Sequence, residues 1–171
     1  LSFTADEIWE NLPGEREESV FLAGWGAPLL QLGAHDELDA PFWEELIAVR
    51  GAVNRELESL RGAGALRGSL DAQVTLYCRP ELLERLARLG DELRFVLITS
   101  GAAVRPIGEA PAGASPTEID GLRVVAAAAT AEKCERCWHR RDDVGSHPEH
   151  PTLCARCVVN VAGPGEERRF A

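Results

Sequence analysis

Between Pro41 and Leu60 the apolar residues Phe42, Leu46, Val49, Val53, Leu57 and Leu60 recur every three or four positions, while Glu44, Arg55 and Glu58 fall opposite them. That period predicts one amphipathic helix whose stripe is core packing, opened by proline at its first position and closed at Arg61-Gly62-Ala63-Gly64. Upstream, Thr4-Ala5-Asp6-Glu7 has the form of a capping box, with a short helix through Ile8 and Trp9 that stops near Pro13-Gly14. Glu15 to Glu18 reads as a solvated turn, Val20 to Trp25 as extended apolar chain laid on a core, and Gly33 to Asp39 as a connector. The period changes to two at Gln73-Val74-Thr75-Leu76-Tyr77, which predicts a strand. A second helix is expected over Pro80 to Leu89, a second strand over Leu93 to Ser100 and a third over Gly121 to Thr130. Gly101 to Asp120 holds Pro106, Pro111 and Pro116 and is expected to be mostly loop. The expected fold class is α+β: a helical N-terminal part, a small α/β layer and a C-terminal four-cysteine finger, with boundaries at 1–38, 39–131 and 132–171.

The finger rests on Cys134, Cys137, Cys154 and Cys157, spaced C-x2-C-x16-C-x2-C. Two thiols three positions apart on a tight turn aim at one point, and a second such pair opposite completes a tetrahedron about one ion. Zn²⁺ suits four thiolates because it is borderline soft and imposes no geometry of its own. One zinc ion per chain is therefore expected. Two disulfides would need an oxidising compartment, and the first residues show neither the basic segment nor the apolar run of a signal peptide. A redox pair would explain one C-x-x-C but not two; an iron–sulfur cluster on four thiolates stays open as an alternative. Cys78, within the alternating segment, is expected to be an inert buried thiol. His139, His147 and His150 lie in the finger as surface or supporting groups, and His35 carries no signal.

The 171 residues are 45% hydrophobic with a net charge of −10, which suits a globular protein and argues against general nucleic-acid binding. The charge is uneven: residues 133–171 carry seven basic and six acidic side chains, a net +1, which leaves −11 for the first 132. No apolar run reaches the ~20 residues a membrane helix needs, so a soluble, cytoplasmic protein is expected. The chain has no methionine and begins with leucine, as an internal piece of a longer protein would. No carboxylate pair sits in an apolar setting, Glu44 and Glu45 read as solvated, and neither Gly62-Ala63-Gly64 nor Gly101-Ala102-Ala103 has the lysine of a phosphate loop. The sequence makes no case for a catalytic residue.

The residues Lys133-Cys134-Glu135-Arg136-Cys137-Trp138-His139, Asp143-Val144-Gly145, Cys154-Ala155-Arg156-Cys157-Val158 and Asn160-Val161-Ala162-Gly163, closing on Arg169-Phe170-Ala171, resemble the C-terminal end of bacterial isoleucyl-tRNA synthetases. Leu1 to Trp9 with Leu12-Pro13-Gly14 is similar to the end of that family's anticodon-binding helical domain, and Gly68-Ser69-Leu70-Asp71-Ala72 also fits. The resemblance implies a parent ligase that charges isoleucine tRNA, with ATP and Mg²⁺ used only in an upstream catalytic part. It implies tRNA and the upstream domains as partners, and a monomer. It turns Trp138 toward an RNA-stacking role, although the indole could equally cover the metal cluster, and it makes Arg136, Arg140 and Arg141 candidates for phosphate or base contacts. Two other classes compete: a DNA-repair glycosylase fragment with a similar finger, and a non-enzymatic zinc-stapled interaction module. Anticodon-dependent tRNA binding separates the first reading from both.

Overall fold

The computed structural model describes residues 1–24 and 37–171. Trp25, Gly33 and His35, on which three of the expectations above fall, lie outside the described residues. Two compact units are defined, 1–36 and 37–171.

In the first unit, α1 runs Ser2–Asn11 with no buried residue. The capping box is not used: the helix starts three residues earlier, with the Ala5 N–H on the Leu1 carbonyl at 2.9 Å, and Thr4 falls within its first turn. Gly14, at φ +104°, turns the chain in a conformation that favours glycine. The extended segment expected after it is instead a run of turns. Asp6 accepts from the Ser19 hydroxyl (2.6 Å) and the Val20 N–H (3.1 Å), and this winds Ser19 to Ala23 back on itself. Phe21 and Leu22 are consequently exposed within this unit.

The second unit is built on α2, Ala40–Gly62. Asp39 caps it, accepting from the Phe42 N–H at 2.9 Å, so proline falls at the second helical position rather than the first. Phe42, Leu46, Val49, Val53 and Leu57 are all buried and Leu60 packs at the rim, as the period predicts. The stripe meets a four-stranded sheet of order β2-β1-β4-β3. β1 (Ala72–Cys78) pairs parallel with β2 (Gly101–Pro106), Gln73 opposite Gly101 and Tyr77 opposite Arg105. It pairs antiparallel with β4 (Leu122–Ala128), and β4 carries the two-residue β3 (Ser115–Pro116) on its other edge. Ala72, Val74, Leu76 and Cys78 point into the core, and burial pushes the Cys78 thiol up to about 11, which keeps it protonated and inert.

The crossover between the parallel strands differs from expectation. α3 (Pro80–Ala87) is where the leucines place it, but Leu93 to Leu97 forms a short helix, α4, and the strand is the glycine- and alanine-rich Gly101–Pro106. Leu93 and Leu97, four apart, are both buried as a helical turn requires, and the chain leaves α4 through Ile98 in the left-handed region at φ 55°. Small residues suit β2 because its side chains stand close to neighbouring groups: a Cβ on Gly101 would lie 3.0 Å from the Gln73 amide. Glu45, expected to be solvated, is a strut between helices: it accepts from Arg79 at 3.0 Å and Arg85 at 2.6 Å. The α+β class holds. No described helix is long and apolar enough to cross a membrane.

Candidate metal centre

The segment after β4 brings the four cysteines together by two devices. In the first, Lys133 and Arg140 form an antiparallel bridge, the Cys134 N–H donates to the His139 carbonyl, and the Trp138 N–H donates to the Cys134 carbonyl, both at 2.9 Å. This tight loop turns Cys134 and Cys137 toward one point. In the second, Cys154 precedes α5 (Ala155–Ala162), so Cys157 sits in its first turn and both thiols face the positive end of the helix dipole. The halves are tied by the Glu135 N–H to the Thr152 carbonyl at 3.1 Å and Gly145 to Leu153 at 3.3 Å, with Val144 and Leu153 packed over the sulfurs.

All four Sγ atoms lie within 4.8 Å of one another, and Cys137 and Cys154 are 3.7 Å apart. A tetrahedron with Zn–S bonds of about 2.3 Å has edges of about 3.8 Å, so the spacing fits zinc. The surroundings also fit thiolate ligands: the Cys154 N–H donates to the Cys134 sulfur at 3.4 Å, and Arg136 reaches the Cys157 sulfur at 3.6 Å. Burial alone would push the Cys134 thiol up, but the backbone N–H groups of Cys137, Cys154 and Arg136 bring it down to about 6. Cys154 goes the opposite way, raised by burial and then by the charge of Cys137. Four adjacent thiolates repel one another, so full ionisation requires a cation among them. Cys134, Cys154 and Cys157 are buried and Cys137 is partly so.

Around this centre the other candidate residues divide. Trp138 is 59% exposed, in the left-handed region at φ 66°, with the Lys133 ammonium 5.2 Å from the ring centroid. Arg136 is exposed, with its guanidinium at the Cys157 sulfur. Arg140 and Arg141 are half-buried and already engaged. Arg140 Nε donates to Asp71 at 2.9 Å and its backbone N–H to the Ser100 hydroxyl at 2.6 Å, which fastens the finger to the residues just before β1 and β2; Arg141 lies 3.5 Å from Asp91. His139 is 8% exposed, its ring edge-on to Phe95 at 5.9 Å. Burial first, and then the charges of Arg94 and Arg156, lower its pKa to about 4, so it stays neutral.

One cluster has no sequence signal. Phe95 is surrounded by the guanidinium groups of Arg94 (4.1 Å), Arg168 (4.2 Å) and Arg156 (4.9 Å), and Glu166 accepts from Arg156 at 2.7 Å and Arg168 at 2.9 Å. Its members come from three separate segments, and no local spacing links them.

Residues 131–159 match the family described as the zinc finger found in FPG and IleRS. The compact four-cysteine centre is thus a zinc finger of that kind. Over its whole length the chain is similar to isoleucine–tRNA ligases: 55% identical to that of Methylococcus capsulatus over 170 residues, and 54% identical to those of Pseudomonas putida and Azotobacter vinelandii over 171. These alignments cover 99–100% of the chain and 18% of each relative, so the chain corresponds to a segment of such a ligase. The resemblance to isoleucyl-tRNA synthetases holds. The finger alone, named for both families, does not separate a ligase from a glycosylase; the whole-chain likeness does.

Proposed function

We propose that this chain is the zinc-stapled, RNA-contacting part of an isoleucine–tRNA ligase, with Cys134, Cys137, Cys154 and Cys157 as the four ligands of one zinc ion. The ion when bound supplies a divalent charge that keeps the thiolates ionised and cross-links the two halves of the finger. The finger holds Trp138 as a stacking surface for a single-stranded base on the anticodon side of the tRNA, with Arg136 for phosphate or base edges. Arg140 and Arg141 act at the root of the finger, where their pairs with Asp71 and Asp91 also set its position. The observation that carries this reading is Trp138 itself: a large ring, mostly exposed, held in a backbone region that glycine normally occupies. A ring needed only to cover the sulfurs would be expected to turn inward.

Residues 1–38 end the helical anticodon-binding part, 39–131 form the α/β layer, and 132–171 the finger. Charging of isoleucine tRNA, with its ATP and Mg²⁺, belongs to other parts of the ligase; tRNA and those parts are the partners of a monomeric, cytoplasmic protein. Metal analysis should give one zinc per chain, and iron or no metal would overturn the ligand set. Trp138→Ala should retain that stoichiometry and weaken tRNA association about 10-fold, the loss of one stacked base. Unchanged affinity would reject the stacking role.

A further inference from the structure

The four sulfurs lie close together but are not equally protected. Cys134, Cys154 and Cys157 are buried, each 2% exposed or less, whereas Cys137 is only partly buried. The flanking residues differ in the same sense. Arg136 and Trp138, on either side of Cys137, are exposed, while Leu153, Ala155, Arg156 and Val158 around the other pair are all at least partly buried. Hydrogen bonds divide the sulfurs again. Cys134 accepts from three backbone N–H groups, those of Cys137, Cys154 and Arg136, and Cys157 has the Arg136 guanidinium 3.6 Å away. Cys137 accepts from the His139 N–H alone among backbone donors, and Cys154 from that of Cys157. Each donor draws on the sulfur lone pairs and makes the thiolate a weaker nucleophile. Cys137 thus combines the easiest access with a lightly held lone pair, and Cys154, held as lightly, stands 3.7 Å from it.

A thiolate that solvent can reach, with a second thiolate beside it, is the arrangement that reversible cysteine oxidation requires. We propose that Cys137 is a site of oxidation by hydroperoxides, with Cys154 as its resolving partner. With hydrogen peroxide, the Cys137 thiolate attacks one peroxide oxygen: an S–O bond forms, the O–O bond breaks and hydroxide leaves. The Cys154 thiolate then attacks the Cys137 sulfur: the S–S bond forms, the S–O bond breaks and a second hydroxide leaves. The two thiolates give up two electrons to the peroxide, and two protons from solvent turn both hydroxides into water. Closing the gap from 3.7 Å to the roughly 2.05 Å of a disulfide removes two of the four ligands, and the remaining pair is too few for a structural zinc site. The new bond joins the same two halves of the finger that the metal joins, and a thiol reductant reverses it. This reactivity rests on the four-cysteine zinc reading above and gives a chemical use to the unequal burial of the ligands.

The test treats the zinc-loaded chain with hydrogen peroxide, follows zinc release with a chromogenic chelator and maps the cysteines by peptide mass spectrometry. Trypsin cleaves after Arg136 and Arg156, so the four cysteines fall on separate peptides. Zinc release should track the appearance of a Cys137–Cys154 disulfide while Cys78 stays unmodified, and dithiothreitol with added zinc should restore the metal. With limiting iodoacetamide instead of peroxide, Cys137 should be alkylated about 10-fold faster than the other three ligands, as access and thiolate character select. A first disulfide within one pair, Cys134–Cys137 or Cys154–Cys157, overturns the assignment and leaves the zinc reading standing. So does first alkylation at a buried ligand, or zinc retained through peroxide treatment. A chain that holds no zinc before treatment overturns the ligand set, and the oxidation site with it.

Discussion

Trp138 carries a conformational cost that can be measured apart from its use. An L-residue in the left-handed region is strained by about 1–2 kcal/mol, and glycine is not. At ordinary positions alanine is at least as stable as glycine, because glycine loses more backbone freedom on folding. At φ 66° the order should invert: the Trp138→Gly finger should be more stable than Trp138→Ala by about 1 kcal/mol in thermal or denaturant unfolding. Alanine equal to or better than glycine would show that the left-handed conformation is not retained in solution. Both variants should weaken RNA binding alike, since both lack the ring. The cysteines and Trp138 were legible in the sequence because knuckle spacing is a local property. Glu45 was not: it read as a solvated carboxylate, and its partners Arg79 and Arg85 lie 34 and 40 residues away.

At the scale of elements, the stripe of α2 and the alternation of β1 survived from sequence to structure because each has a period that burial on one face enforces. The stretch from Leu93 to Pro106 did not. Its apolar run is too short for periodicity to separate helix from strand, and the strand that follows, Gly-Ala-Ala-Val, lacks branched residues apart from Val104. The missing punctuation is at Ile98, which closes α4 in the left-handed conformation where glycine would usually mark a helix end. Isoleucine there is strained and 44% exposed, so it has little burial to offset the strain. Ile98→Gly should therefore stabilise the protein by about 1 kcal/mol, read as a higher denaturant midpoint with an unchanged slope. A lower midpoint would mean that Ile98 packing outweighs its backbone strain. The finger behaves as an element of a different kind, fastened by metal rather than by a large apolar core. Chelation should open it to proteolysis while α2 and the sheet keep their circular dichroism, because a structural zinc contributes on the order of 10 kcal/mol to folding of such modules. A finger equally protected with and without chelator would rule out a structural metal.

The 37–171 unit is also held by carboxylates that close long chain segments, and these make its stability depend on acid independently of the thiols. Glu92 accepts the backbone N–H groups of Arg169, Phe170 and Ala171 at 2.7, 2.6 and 2.8 Å, drawing Phe170 onto the core. Burial acts to raise its pKa, but those three donors and Arg168 bring it below the usual range. Glu166, between Arg156 and Arg168, is likewise opposed by burial yet held at about 2 by hydrogen bonds from both guanidinium groups. A carboxyl whose folded pKa is depressed contributes its stability above the unfolded value and loses it as pH falls through the folded one. Both contributions are therefore complete at neutral pH and decline below about pH 4.5. Acid also protonates zinc-bound thiolates, so the parent protein alone cannot distinguish the two effects. Differences between variants can: the gap in melting temperature between the parent and Glu92→Gln should be full at pH 6 and shrink from about pH 4.5 downward. The gap for Glu166→Gln should persist to lower pH, because its folded pKa lies near 2. Gaps that stay constant between pH 6 and 3 for Glu92→Gln would mean that its carboxylate does not hold the tail, and that Phe170 packing alone retains it.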